Sequence, residues 1–484
     1  MRHHGLLAAA LCAAFMSCST EPAGIIGSIP PIFPDYAGVT VPANIAPLNF
    51  RLDCEADAAV LTLTAGGVEV KVKGPEFDIP LRKWRGLTAA GCDIKAVVCA
   101  RCDGVWKAYE PFPIHVSADL IDSHLVYRLI EPGYESWNKL GIYQRCLSDF
   151  TEKPVITNEG TDNNCMNCHS FAGHDPDRMV FHMRATHGGT YVTDGMNVEK
   201  LNTKTPETLS ATVYPQWSAD GKRIAFSVND IFQVFHSTNP NRIEVYDSAS
   251  DVVVYDADSH ELSSSPLLMQ DGVLETFPTF APDGRSLYFC TSPAQEVPKD
   301  YAKIRYSICR IGFDPETGDF GSAVDTLFNA RIEGGGATLP RVSPDGRWLM
   351  FARGPYGCFN IWHKTADLWM IDLSDGRLFP LEAANSPEPE SYHGWSSNSR
   401  WAVFGSRRLD GLYTRPFICH IDENGVASKP FLLPQKDSHY YDDSFKSFNI
   451  PEFTTGEVGI SARVLTECAL NDAGIDLKYV TKQK

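Results

Sequence analysis

The sequence predicts a mainly β protein: an N-terminal immunoglobulin-like β-sandwich leads through a connecting segment into a C-terminal β-propeller of about six blades. A ten-residue pattern in the second half carries most of that expectation. Its copies are Trp217-Ser-Ala-Asp-Gly-Lys-Arg-Ile-Ala-Phe226, Phe280-Ala-Pro-Asp-Gly-Arg-Ser-Leu-Tyr-Phe289, Val342-Ser-Pro-Asp-Gly-Arg-Trp-Leu-Met-Phe351 and the degenerate Trp395-Ser-Ser-Asn-Ser-Arg-Trp-Ala-Val-Phe404. Each is a strand, an Asp-Gly type turn and a second strand, with another strand pair downstream, as in Leu368-Trp-Met-Ile-Asp-Leu-Ser-Asp-Gly-Arg-Leu378. Four strands per repeat make a propeller blade. The first third shows short alternating runs instead, and a chain of 484 residues exceeds the usual size of one compact domain.

Taken in order, residues 1–17 predict a lipoprotein-type signal peptide. A short polar start precedes an apolar run from Gly5 to Met16, too short for a permanent membrane span. The run ends Phe15-Met16-Ser17-Cys18, which resembles a lipobox and makes Cys18 the expected lipidation site, although Phe15 departs from the usual Leu. A Pro-rich leader fills 18–38. Residues 39–117 carry the alternating runs Val60-Leu-Thr-Leu-Thr64, Val68-Glu-Val-Lys-Val72 and Ile94-Lys-Ala-Val-Val98, and Asp103-Gly104 marks a tight hairpin turn. These size and spacing cues predict the sandwich. The segment 118–178 has mixed spacing and reads as an interdomain connection with little regular structure. Residues 179–484 then form the propeller, opening with a blade at Met179-Val-Phe-His-Met-Arg184 and ending with an irregular one from Ser447.

Composition sets limits. A net charge of −17 excludes nucleic acid as a natural partner, and 43% hydrophobic residues allow full-sized cores. Neither G-x-S-x-G nor H-E-x-x-H occurs, which removes the common hydrolase signatures. Ten of the 14 cysteines lie outside the signal, the lipid site and the motif described next. Export would permit disulfides among Cys54, Cys92, Cys99, Cys102 and Cys146, whereas Cys290, Cys309, Cys358 and Cys419 sit in apolar runs as buried thiols.

The connecting segment holds Cys165-Met-Asn-Cys-His169, a C-x-x-C-H sequence. Two thiols at this spacing add across the vinyl groups of a haem, and the adjacent imidazole becomes the proximal iron ligand. With 14 Cys and 14 His, chance would produce the pattern only about 0.01 times per chain. The expected cofactor is therefore covalent haem c, bound by Cys165 and Cys168 with His169 on iron. A zinc site using the second C-x-x-C, Cys99-Ala-Arg-Cys102, and a plain disulfide are the alternatives. His182 is the first expected distal ligand and Met183 the second, followed by His187 and His236. Trp137, Tyr143 and Phe171 are candidates to pack on the porphyrin, and His393 with Arg407 and Arg408 to line a channel mouth.

The W-S-x-D-G-[KR]-x-x-x-F repeats resemble those of TolB-like propellers, over roughly residues 176–484. A C-x-x-C-H motif before such a propeller, behind a lipoprotein signal, resembles a group of TolB-like lipoproteins typical of Bacteroidetes-type bacteria. TolB itself lacks the motif. The resemblance implies fold more than activity. The expectation is an exported monohaem c-type cytochrome-like protein. Its membrane contact is a lipid anchor only, on the periplasmic face of the outer membrane, with surface display left open. The haem would lie in the crease between sandwich and propeller and pass electrons to or from a redox partner protein. A TolB-like binding or assembly scaffold with a structural haem and a haem enzyme with an open distal site are the alternatives.

Overall fold

A computed structural model describes residues 22–131 and 139–482. The expected signal peptide, the expected lipidation site Cys18 and the expected porphyrin neighbour Trp137 lie outside them. Near the N-terminus, Ala58–Ala65 pairs with both Val68–Lys73 and Ile94–Cys102. The last of these returns through Asp103 and Gly104, both at positive φ (52° and 78°), into Val105–Tyr109. Two successive residues at positive φ are what a tight primed turn requires, which is why Asp-Gly serves there. A second sheet of Ile32–Phe33, Phe50–Leu52 and Glu76–Phe77 shares the core, with the Phe50 and Phe77 rings 5.1 Å apart. The helix Leu81–Thr88 buries Trp84 completely, and its indole N–H donates to the Ile45 carbonyl at 2.9 Å. Alternation in Ala58–Ala65 is realised as Leu61 and Leu63 at 0% exposure, each contributing about 1.5–3 kcal/mol of apolar burial.

The rest of the described chain forms six blades whose innermost strands stand side by side around an axis, the second and third being joined into one nine-stranded sheet by the pairing of Ser250 with Leu274. Blade 1 begins with Met166–Phe171, blade 2 with Thr212–Trp217 and blade 3 with Val273–Phe280. Blades 4 and 5 begin with Gly336–Val342 and Glu390–Trp395. Blade 6 takes its inner strand, Ser447–Thr454, from near the C-terminus and its outer three, His124–Ile130, Gly141–Cys146 and Glu152–Thr157, from near the N-terminus. Pairs such as Leu125 with Phe453 therefore close the ring by hydrogen bonds, leaving no open edge there. After the helix Ala462–Asn471, the strands Ile475–Asp476 and Lys478–Thr481 cover the outer edges of blades 1 and 2.

This corrects the division of the chain. Residues 118–178 are not a connecting segment with little structure, since they supply three strands of blade 6 and the innermost strand of blade 1. Their repeats lack the Asp-Gly turn, and blade 6 pairs residues more than 300 positions apart, so local signals do not mark them. In three of the four copies the turn chemistry is the same, and in the remaining one Ala281 stands where the serine would be. Ser218, Ser343 and Ser396 each donate a hydroxyl hydrogen bond to the turn residue two positions on, Asp220, Asp345 or Asn398, at 2.5–2.6 Å. Each also accepts the N–H of the residue that starts the next strand.

Candidate haem site

Every inner strand carries one bulge, and the bulged residue always lies at φ near 50°: Cys168, Tyr214, Phe277, Leu339, Tyr392 and Ile450. A left-handed backbone at a non-glycine costs about 1–3 kcal/mol and persists only where its surroundings impose it. Six copies in register identify it as a device of the fold. All six residues line one cavity around the propeller axis, which encloses about 1630 Å³ between its walls, counting its open mouth. The next residue is Pro215, Pro278, Pro340 or Pro451 in four blades, and His169 or His393 in the other two. The true repeat thus begins before Trp217, and Cys168-His-Ser-Phe171 is its blade 1 copy, matching Tyr214-Pro-Gln-Trp217.

Cys165, Cys168 and His169 all line this cavity, so the motif lies inside the propeller and not in a crease between it and the N-terminal unit. The N-terminal unit instead rests on blade 5 and the chain beyond it, through Asp119 to His420 at 2.7 Å and Arg51 to Asp442 at 2.8 Å. Both motif thiols are free and buried. His169 is 2% exposed and neither ring nitrogen has a hydrogen-bond partner. Burial first, and the Arg128 charge second, push its pKa down to about 4, so the imidazole is neutral at neutral pH with a lone pair to offer.

His393 shows the same position with one ring nitrogen partnered and the other, Nδ1, buried without a partner. Its Nε2 donates to the Met350 carbonyl of the preceding blade at 3.1 Å, and burial holds its pKa near 3. Val126 is the matching residue of the blade before His169, by its pairing with Glu452 as Met350 pairs with Arg341. Its carbonyl lies near the His169 ring without hydrogen-bond geometry. An unpartnered imidazole of this kind has little to give up in turning to iron. Two free thiols three residues apart and this ring on one cavity wall fit a covalently attached haem. A bare ion has no comparable site, since no three His, Cys, Asp or Glu side chains gather to hold one among the described residues. Cys99 and Cys102 lie on the strand Ile94–Cys102, outside the cavity, and supply no second half of a zinc site there.

The other expected residues divide. His393 and Arg407 line the cavity, while Arg408 is turned to Glu390 at 3.0 Å. Phe171 packs edge-on to His169 with ring centres 6.1 Å apart, behind the wall. Tyr143, on the second outer strand of blade 6, is not on it. His182 and Met183 are not on the wall either. His182 is paired across the strand to Asn167 and shares a hydrogen bond with Thr190 at 3.2 Å, and Met183 is fully buried among the motif's apolar neighbours. His187 meets Asp162 at 2.8 Å, and His236 stacks on Tyr301. The closeness of His182 and Met183 to the motif misled because the strand after it belongs to the layer behind the wall. Sequence reasoning missed Tyr214, Tyr392, Arg128, Arg184 and Arg341, all on the wall. Aligning the repeats from the residue before Pro would have found the two tyrosines.

No known protein family matches the chain. No curated protein matches it. Among solved structures it is similar to a Mycobacterium tuberculosis puromycin-hydrolyzing peptidase, at 13% identity and TM-score 0.34 over 72% of this chain and 52% of that one. It is also similar to prolyl oligopeptidase B from Galerina marginata, at 12% identity and TM-score 0.35 over 81% and 54%. An oligogalacturonate lyase in complex with manganese is similar at 9% identity and TM-score 0.34 over 62% and 91%. The chain spans about half the length of the two peptidases. Its own sheet order carries the fold assignment. Among the described residues no helix is long and apolar enough to cross a membrane.

Proposed function

We propose that this is an exported monohaem c-type cytochrome-like protein, built on a TolB-like propeller with an immunoglobulin-like N-terminal unit and anchored by lipid at Cys18 to the outer membrane, where it exchanges electrons with a redox partner. One observation carries the reading: Cys165 and Cys168 are free thiols on the same cavity wall as His169, whose buried ring nitrogens are unpartnered. A haem there supplies one-electron chemistry. The chain would supply the two thiols that add across the haem's vinyl groups, a neutral imidazole, and walls that restrict water. Denaturing electrophoresis followed by haem staining tests it. Protein made alongside a haem-attachment system stains, and Cys168→Ala weakens or abolishes the band. An unstained wild-type band removes the cytochrome reading.

A haem with an open distal position is the second reading, favoured because none of His182, Met183, His187 and His236 is on the wall. Carbon monoxide and peroxide separate the two. A reversible couple indifferent to both is the electron-transfer protein, and rapid peroxide turnover is the enzyme.

A further inference from the structure

The cavity wall is electrically lopsided. Arg184 and Arg407 occupy matching places, each the residue after its blade's second strand: the Arg184 N–H donates to the Cys165 carbonyl at 2.9 Å, and that of Arg407 to the Pro389 carbonyl at 3.3 Å. They belong to blades 1 and 5, which flank blade 6, and blade 6 contributes Arg128. The three guanidiniums therefore come from three consecutive blades, at the end of the channel where the inner strands begin and where Cys165 also lies. None of them makes an ion pair among the described residues, in a chain of net charge −17. Arg128 is anchored by the Met166 carbonyl at 3.0 Å and, with the Asn449 amide turned so that both its groups find partners, by that side-chain oxygen at 2.8 Å. Arg407 is 7% exposed, lies 3.7 Å over the Trp362 ring and touches Thr414 at 3.4 Å. Arg184 is exposed at the rim. Glu131 is the one carboxylate on the described wall. The facing arc, from blades 2, 3 and 4, presents Ile231, Val245, Phe277, Leu339 and Phe359, with Arg341, past the bulge of blade 4, as its one charged group.

Buried or half-buried arginines without counter-ions are costly to keep unless an anion completes them, and guanidinium is the group best shaped for carboxylates. We propose that this cavity binds an apolar, planar body bearing two carboxylates, with the acid edge on Arg128, Arg184 and Arg407 and the body against the apolar arc. On the haem reading, on which this assignment of the ligand rests, the carboxylates are the two propionates of the attached porphyrin. A free amphiphilic dicarboxylate is the other source of the same chemistry.

The test removes covalent attachment and iron together. The full chain carrying Cys165→Ala and Cys168→Ala is titrated with protoporphyrin IX and, separately, with its dimethyl ester, which keeps the ring and loses both charges. Quenching of tryptophan fluorescence, with Trp362 beside Arg407, reports binding. The diacid is expected to bind about ten-fold or more tightly than the diester, the scale of one lost charge-assisted contact or more. Arg184→Gln and Arg407→Gln in the same background each weaken the diacid and leave the diester unchanged. The exposed Arg184 keeps the test valid if Arg407→Gln unfolds the protein. Equal binding of the two porphyrins, or no effect of either arginine variant, overturns the proposal. Haem staining of the wild type is read in parallel. A stained protein with equal porphyrin affinities keeps the cytochrome and loses the carboxylate site. An unstained protein that prefers the diacid keeps the site and assigns it to a free ligand.

Discussion

At the scale of single residues, the informative comparison is between His169 and His393, two imidazoles in one backbone position with different partners. Because four blades place Pro there after a left-handed residue, the position accepts Pro without rebuilding. His169→Pro is therefore expected to fold with a melting temperature within a few degrees of the wild type, while the haem loses its low-spin optical and electron paramagnetic resonance signature. A low-spin signal surviving in that variant assigns the iron ligand elsewhere. His393 makes a different prediction. Its folded pKa, near 3, is far below the ordinary value of about 6.5, so its contribution to stability is complete above about pH 6.5 and is lost as pH falls toward 3. His182, also held near 3 by burial, acts in the same direction. In thermal melts between pH 7 and 4.5, His393→Pro should lose less stability than the wild type. At pH 7 it should be less stable by about 1 kcal/mol, the usual worth of the hydrogen bond to Met350. A steeper acid loss in the variant would show that other groups govern that limb.

At the scale of elements, the inner strands explain both what was legible and what was not. Blades with Ser-x-Asp-Gly or its Ser-Ser-Asn-Ser variant were readable because the hydroxyl, the turn carboxylate or amide and the residue at positive φ act within five positions. Blade 6 was invisible as a unit because its strands come from opposite ends of the chain, and no periodicity links His124 to Thr454. The bulge ring was missed for another reason. Its residues at positive φ are Tyr, Phe, Leu, Ile and Cys, types that do not advertise a left-handed backbone, so only their register reveals them. The same anatomy predicts which truncation the propeller survives. A chain beginning at residue 118 keeps His124–Ile130 against Ser447–Thr454 and should melt cooperatively at a lower temperature, having lost the cover on blade 5. A chain beginning at residue 158 leaves that inner strand unpaired and should show no cooperative transition by circular dichroism or calorimetry. Cooperative melting of the shorter chain would mean that five blades close without the sixth.

At the scale of the whole molecule, an acidic exterior surrounds a channel whose described wall carries four arginines, Arg128, Arg184, Arg341 and Arg407, against one carboxylate, Glu131. Burial lowers the pKa of Arg341 and Arg407 only to about 10, so both stay charged at neutral pH. Such a field favours the reduced, less positive state of any iron held near it only if the charges remain unpaired, and carboxylates on those arginines offset it. The propeller and a site in its channel follow from sheet order and cavity lining, whereas the cytochrome role depends on one covalent event at Cys165 and Cys168. The most direct test is the pyridine haemochrome spectrum of acid-acetone-extracted protein, purified after expression with a haem-attachment system. The account predicts one c-type haem per chain that resists extraction and disappears in the variant carrying Cys165→Ala with Cys168→Ala. Haem that extracts completely from the wild type, or none at all, would contradict it.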